Sequence, residues 1–93
     1  MSMGFEWDEA KRRSNLAKHG VDFADAALVL ADAQIILEDT RRDYKERRFL
    51  ALREQHSVLF VVAFTIREGA FRIISARRAN ARERRYYAGR IAQ

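Results

Sequence analysis

Residues 57–67, SVLFVVAFTIR, constrain the fold more than any other segment of this chain. Apolar side chains occupy both sets of alternating positions, with Val58 and Phe60 in one set and Leu59 and Val61 in the other. Because successive side chains of a strand point to opposite faces of a sheet, such a strand needs a covering layer on each face. We therefore predict a central strand with other elements packed on both sides.

Two helices are predicted ahead of the strands. Asp8 can N-cap a helix through EAKRRSNLAKH, and Gly20 lies where a left-handed residue would end it. The second helix is predicted over residues 23–30, since Asp22 can cap it and Asp25 lies in its first turn. Its apolar residues recur at helical spacing, which indicates a core-facing stripe.

Four strands in meander order are predicted next, with the sequences QIILED, RRFLALRE, SVLFVVAFTIR and AFRIISA. Glu68-Gly69 and Gln55-His56 mark turns between them. A third helix over Ala81 to Ile91 follows, because Asn80 and Glu83 fit a capping box. The predicted fold class is α+β, with two N-terminal helices, a four-stranded antiparallel sheet and a C-terminal helix in the order ααββββα.

Length and composition limit the kind of protein that this chain can be. Its 93 residues suffice for a single domain, spanning 1–93, and not for two independent cores. Cysteine is absent, so neither a disulfide framework nor a thiolate metal site is expected. Charged residues occur within the first dozen positions without an apolar signal segment, and the longest apolar run is too short to span a bilayer. We expect a cytoplasmic location and no membrane partner.

The basic excess favours a polyanionic partner. Eighteen Lys+Arg against thirteen Asp+Glu give a net charge of +5. Lysine occurs only at positions 11, 18 and 45, so most of the positive charge is arginine, whose planar guanidinium suits bidentate phosphate contacts. Nucleic acid is the leading partner class, and composition alone leaves an acidic partner protein open.

The first helix carries one polar face. Lys11, Asn15, Lys18 and His19 lie at spacings of four, three and one, so all four project from the same side. This arrangement fits a cationic, hydrogen-bonding surface. A solvated helix face with a histidine at its end explains the same pattern, and the spacing alone does not separate the two.

The last strand and helix concentrate arginine. Alternation predicts Arg72 and Ile74 on one face of the strand, with Phe71, Ile73 and Ser75 on the other. Two further arginines precede the capped helix, whose free amides could form a phosphate cradle with them or receive an acidic partner side chain. From Arg78 into the helix, basic residues repeat at spacings of four and three, and an apolar pair lies at i, i+4 within it: Arg78, Arg82 and Arg85, then Tyr87 and Ile91.

Two segments together resemble the BrnT family of toxins from bacterial type II toxin–antitoxin pairs: FEWDEAKRRSNLAKHGVDF at 5–23 and RIISARRANARERRYY at 72–87. The resemblance extends through the strand with Asp39 and through Glu46-Arg47-Arg48, although Lys45 stands where the family often has glycine. It implies a RelE-like fold, endoribonuclease activity without a metal or other cofactor, and an antitoxin. It further suggests a complex in which an antitoxin dimer bridges two toxins. The antitoxin contacts operator DNA, so the toxins bind it only indirectly.

Such a reaction needs a base, an acid and charge stabilisation at the phosphate, because the ribose 2′-hydroxyl attacks the neighbouring phosphodiester. His19 is the leading candidate for proton transfer, since imidazole titrates near neutral pH, and Glu46 is the alternative. The resemblance and guanidinium geometry together assign phosphate stabilisation to Arg48, Arg72 and Arg77. The remaining expected contacts are Lys11, Lys18 and Arg78 for RNA, and Arg82, Arg85, Tyr87 and Ile91 for the antitoxin.

Two other functions stay open on the sequence. The same arginines could bind nucleic acid without cutting it, as a non-catalytic or co-repressor subunit that acts only in the antitoxin complex. A pure interaction subunit could instead use its arginines on an acidic partner, with Tyr87 and Ile91 as apolar anchors. His56 lies at a turn away from both motifs and is not assigned a role.

Overall fold

The computed structural model of the protein describes residues 4–92, which form three helices and five strands. The predicted α+β class is confirmed, and the predicted count of four strands is wrong. A short strand precedes the first helix and adds a fifth member to the sheet. In chain order the elements are β1 (Gly4–Trp7), α1 (Glu9–His19), α2 (Phe23–Ala31), β2 (Ile35–Glu38), β3 (Phe49–Gln55), β4 (Val58–Arg67), β5 (Ala70–Arg78) and α3 (Ala81–Ile91).

The sheet is mixed, with the strand order β1-β5-β4-β3-β2. The four later strands pair antiparallel in sequence order, as predicted. The first strand pairs parallel with β5, so that Gly4 lies opposite Ala70 and Trp7 opposite Ile73. The prediction of a purely antiparallel sheet is therefore wrong. The order places β4 at the centre, as the two-sided apolar pattern of residues 57–67 requires.

Each face of the sheet has its own core. The α2 face is covered by α2, whose Phe23 and Ala26 are completely buried against β4 and β5. The α3 face is covered in part by α3, whose Tyr87 packs with the strand residues Leu59 and Val61. The central strand is thus enclosed on both sides, which confirms the prediction for this segment.

One extra residue interrupts the pairing of β5 with β4. Ala63 lies opposite Ser75, and the next residue of β4, Phe64, lies opposite Ile73. Ile74 is therefore the additional residue of a β-bulge, which shifts the alternation of side chains in the rest of the strand. The prediction that Ser75 shares a face with Ile73 is wrong for this reason.

The bulge determines which arginines share a face. Arg72 and Arg77 are five positions apart, an odd spacing that would send them to opposite faces of a regular strand. Because of the bulge, Arg72 lies opposite Thr65 and Arg77 lies opposite Val61, and both side chains leave β5 on the α3 face. Arg78 is one position further and leaves on the α2 face.

A polar side chain attaches α1 to the sheet. Past Trp7 the outer edge of β5 has no strand beside it, and Asn15 takes that place. The Oδ1 atom of Asn15 accepts from the Ala76 amide at 3.1 Å, while Nδ2 donates to the Ala76 carbonyl at 2.8 Å and to the Val21 carbonyl at 3.0 Å. Asn15 is only 7% exposed. It is a buried anchor, so the predicted solvent-facing surface that joins it to Lys11 is wrong.

The helix boundaries follow the predicted caps. Asp8 accepts from the Lys11 amide, and Gly20 ends α1 in a left-handed conformation with φ of 73°. The capping box of α3 is complete, because Asn80 and Glu83 each accept from the other's amide. These contacts confirm α1 and α3 residue by residue, and α2 ends one residue beyond its predicted end.

The two hairpin turns are built on left-handed residues. Glu68 and Gly69 form the predicted turn between β4 and β5, with φ of 48° and 78°. The preceding turn lies at His56 and Ser57, one residue later than predicted. Between residues 4 and 92, no helix is both long and apolar enough to cross a membrane.

Candidate active site

A row of polar residues crosses the part of the α3 face nearest the β4–β5 turn. Thr65 of β4 lies opposite Arg72 of β5, which in turn lies opposite Glu6 of β1. Arg48 precedes β3 directly, so the register that begins at Phe49 places it beside Thr65. Thr65 is only 2% exposed. Two guanidinium side chains therefore flank a small, buried residue on one face of the sheet.

Glu46 lies next to this row and is held as a carboxylate. Arg67 donates to it twice, from Nη2 to Oε1 at 2.8 Å and from Nε to Oε2 at 3.0 Å. These hydrogen bonds lower the pKa of Glu46, and the positive charges of Arg48 and Arg72 lower it further. The structure thus brings together three of the residues predicted to be catalytic: Glu46, Arg48 and Arg72.

The guanidinium of Arg48 differs from its neighbours in having no carboxylate partner within residues 4–92. Arg72 forms an ion pair with Glu6 at 3.2 Å. Arg48 instead stacks on an aromatic ring, with its guanidinium carbon 4.3 Å from the centre of Tyr44. Its Nε atom is buried and has no hydrogen-bond partner among the described residues. Arg48 therefore forms no ion pair with any side chain that the structure describes, although Glu46 lies near enough to interact with its charge electrostatically.

Asp39 holds the segment that leads to Arg48. Its carboxylate is buried and accepts from Nε and Nη2 of Arg41, each at 2.8 Å, and from the Tyr44 hydroxyl at 3.0 Å. The hydrogen bonds from Arg41 hold the pKa of Asp39 well below its usual range, and the same contacts raise the pKa of Arg41. A surface cavity of about 330 Å³ lies along this segment and is lined in part by Tyr44, Glu46 and Arg48.

Arg77 lies on the same face but is tied to the start of α3. Its guanidinium donates to both carboxylate oxygens of Glu83, at 2.6 and 2.8 Å. Their hydrogen bonds raise the pKa of Arg77 and lower that of Glu83. The charges of Arg41 and Asp39 are near enough to influence the pKa of Arg77. The Arg77–Glu83 pair therefore lies close to the Asp39–Arg41 pair.

The structure does not join His19 to the arginine row. His19 is the last residue of α1, which runs beside the outer edge of β5, and its side chain is partly exposed. No hydrogen bond or ion pair in residues 4–92 connects His19 with Arg48, Arg72 or Glu46, so its catalytic role stays a prediction. The residues expected to bind RNA are exposed and lie outside the row, on α1 or on the α2 face: Lys11, Lys18 and Arg78.

The residues expected to contact an antitoxin divide into two groups. Arg82 and Arg85 are exposed on α3, and Ile91 is 50% exposed near its end. Tyr87 is 8% exposed, packs in the core of the α3 face and donates from its hydroxyl to Gln34. Tyr87 is therefore largely covered within this chain, and its contact with an antitoxin stays a prediction.

The sequence does not single out Tyr44, Arg41 and Glu6 as candidate site residues. Tyr44 and Arg41 lie in a segment without helical or strand periodicity, and Glu6 belongs to the unpredicted β1. The available signal was Asp39, a carboxylate directly after a strand and near several arginines. Within residues 4–92, no three His, Cys, Asp or Glu side chains lie close enough to share a metal ion.

Acid is expected to destabilise the protein through the buried ion pairs. Because the folded pKa values of Asp39 and Glu83 are lowered, their contribution to stability is present above the ordinary carboxyl pKa of about 4 and is lost as pH falls through the lowered values. Urea denaturation should give a constant free energy of unfolding between about pH 7 and 5 and a falling one below about pH 4.

Glu83→Gln provides the matched variant for this titration. Glutamine can keep the capping contact with Asn80 but cannot form the ion pair with Arg77. The variant should be less stable than the wild type at neutral pH, and the difference should shrink as the pH falls below about 4. A constant difference between the two proteins across this range would contradict the role given to the pair.

The chain is similar to known proteins in both sequence and structure. The sequence model of the family described as "Ribonuclease toxin, BrnT, of type II toxin-antitoxin system" matches residues 7–83. The crystal structure of the Brucella abortus ribonuclease toxin BrnT superposes with a TM-score of 0.66 at 32% sequence identity, covering 85% of this chain and 99% of that one. A search of curated protein sequences returned no match.

Proposed function

The chain belongs to the BrnT family of ribonuclease toxins of type II toxin–antitoxin systems, and from this membership we propose that it is a metal-independent endoribonuclease. It cleaves RNA, inhibits translation and growth, and is neutralised by a cognate DNA-binding antitoxin. The observation that carries the proposal is the row of Arg48, Thr65 and Arg72, with the carboxylate of Glu46 beside it.

The proposed reaction is transesterification within the RNA. The ribose 2′-oxygen bonds to the adjacent phosphorus as its proton passes to the base, and the bond from phosphorus to the 5′-oxygen breaks. The leaving 5′-oxygen takes up a proton from water, giving a 2′,3′-cyclic phosphate and a 5′-hydroxyl. Arg48 and Arg72 stabilise the charge on the non-bridging oxygens, and Arg77 extends the cationic surface toward α3. This is the metal-free chemistry that a RelE-like toxin would use.

Glu46 is the proposed acceptor of the 2′-hydroxyl proton, since it lies near both phosphate-binding arginines and is ionised. It must release at least one of its hydrogen bonds from Arg67 to do so, because both carboxylate oxygens are occupied. His19 is the alternative proton-transfer residue. If Glu46 is the base, substitution of Glu46 should abolish activity, and if His19 is the base, substitution of His19 should do so. The two assignments can therefore be distinguished by mutation.

The proposed partners follow from the same membership. The substrate is cellular RNA, so the proposed location is the cytoplasm. The proposed antitoxin complex contains two toxins and an antitoxin dimer, and it reaches operator DNA through the antitoxin. The exposed side chains of Arg82, Arg85 and Ile91 on α3 are the proposed antitoxin contacts.

An RNA cleavage assay with excess EDTA tests this function. The wild-type protein should convert RNA to fragments that end in cyclic phosphate, and Glu46→Gln should lower kcat by about 100-fold or more. His19→Ala should retain most of the activity if Glu46 is the base. The reverse order of the two variants would reassign proton transfer to His19.

Two other results would overturn the proposal. Cleavage that EDTA abolishes would exclude a metal-independent reaction. Binding to RNA with a steep salt dependence, but without cleavage, would instead support a non-catalytic nucleic-acid-binding or co-repressor subunit.

A further inference from the structure

Tyr44 lies between a buried carboxylate and the unpaired arginine of the site. Its hydroxyl donates to Oδ2 of Asp39 at 3.0 Å, and its ring supports the guanidinium of Arg48 at 4.3 Å. Tyr44 thus connects the most buried acidic side chain of this segment with an arginine of the site that forms no ion pair among the described residues.

This arrangement addresses a physical difficulty of using arginine in a site. A free arginine side chain has several rotatable bonds, and ordering it on the substrate costs rotamer entropy. A carboxylate partner would order it, as Glu6 does for Arg72, but would also offset its charge. An aromatic ring orders the guanidinium through stacking and leaves the charge available for a phosphate.

Asp39 is a suitable anchor for the ring. It is 6% exposed, follows β2 directly, and its amide donates to the Arg48 carbonyl at 2.7 Å. The same residue therefore contacts Arg48 through the backbone and Tyr44 through the side chain. Arg41 balances its charge with two hydrogen bonds, so the carboxylate remains ionised in its buried position.

We propose that Asp39 and Tyr44 are positioning residues of the ribonuclease site, which hold the guanidinium of Arg48 in the orientation that receives the RNA phosphate. This inference rests on the proposed function. Neither residue contacts the reacting atoms in this assignment. Tyr44 acts through Arg48, and Asp39 acts through Tyr44.

A double-mutant cycle between Tyr44 and Arg48 tests the inference under single-turnover conditions. Tyr44→Leu should lower the cleavage rate constant about 10- to 100-fold, with a smaller change in RNA affinity, because the arginine is misplaced rather than removed. In an Arg48→Ala background the same substitution should change the rate less than about twofold. Equal losses in the two backgrounds would overturn the inference, since they indicate a merely structural role.

Tyr86→Leu is the matched control, because Tyr86 also stacks with an arginine, Arg90, but lies on α3 away from the row. It should leave the rate constant unchanged. If Tyr44→Leu does not fold, Tyr44→Phe replaces it in the double-mutant cycle, because phenylalanine keeps the ring and loses only the hydrogen bond to Asp39. Tyr44→Phe should still lower the rate constant when Arg48 is present, and it should not lower it in the Arg48→Ala background.

A measurement that does not depend on cleavage separates this inference from the proposed function. The guanidinium carbon of Arg48 lies over the Tyr44 ring, 4.3 Å from its centre, so the NMR signal of the neighbouring Nε proton should be shifted upfield and should return to an ordinary position in Tyr44→Leu. If this shift is present while the wild type fails to cut any RNA, the ribonuclease proposal fails and the placement of Arg48 stands. An unshifted signal in the wild type would refute the positioning role directly.

Discussion

Replacing Arg72 with alanine is expected to lower kcat for RNA cleavage by about 100- to 1,000-fold, the loss typical of removing one donor to a developing negative charge. The side chain sits on β5, where pairing with Thr65 and Glu6 fixes its direction. A rigid strand delivers the guanidinium without reorganisation, so its loss should appear in kcat more than in KM. Single-turnover kinetics on a defined RNA measures this directly.

Two further variants make that result interpretable. Arg53→Ala is the matched control, because Arg53 is a similarly exposed arginine that forms its own ion pair with Asp32. It should cleave RNA at the wild-type rate. Arg72→Lys keeps the charge and loses the bidentate geometry, so we expect partial activity. An Arg72→Ala protein as active as Arg53→Ala would remove Arg72 from the site.

The second large effect concerns stability. Asn15→Leu should lower the free energy of unfolding by about 3 kcal/mol, since three hydrogen bonds of about 1 kcal/mol each are lost. Leucine also leaves the Ala76 amide and carbonyl without partners at a buried position. Urea denaturation followed by circular dichroism at pH 7 would measure the difference.

Ser14→Ala is the control for this experiment, because Ser14 is the neighbouring residue of α1 and is exposed. Its stability should lie within about 0.5 kcal/mol of the wild type. If Asn15→Leu were equally mild, the hydrophobic gain of leucine would have offset the lost bonds. The edge of β5 would then not depend on the asparagine.

Local signals predicted most of the helices and strands correctly. Caps at Asp8, Gly20 and Asn80 determine where backbone hydrogen bonding begins and ends, and they act within a few residues of the sequence. The pattern of residues 57–67 likewise reports burial on both faces without knowledge of the partners. These elements could be predicted because their causes are local.

The features that were missed depend on distant residues. Four residues are too few to show a strand period, and β1 is a strand only because β5, some 66 positions later, pairs with it. Asn15 looked like part of a polar surface because residue type was the only information. The unpaired edge of β5 that it satisfies becomes apparent only after the sheet is assembled.

The candidate site shows the same division. Resemblance and residue chemistry brought Arg48, Arg72 and Glu46 into consideration, and the structure places them together. The supporting pair of Asp39 and Tyr44 follows from folding of an irregular segment that has no periodic pattern. The titration range of imidazole makes His19 a candidate for proton transfer, but it carries no information about where the side chain lies.

The bulge at Ile74 makes the length of β5 a functional quantity. Loss of that one codon would keep the reading frame and every arginine of the strand, and it would leave Arg72 and Arg77 four positions apart on the same face of a regular strand. Straightening the bulge without losing a residue would instead turn Arg77 toward the α2 face, where the core lies. The shared face of the two arginines therefore depends on the number of residues between them together with the bulge, and a chain one residue shorter could present the same charges without any bulge.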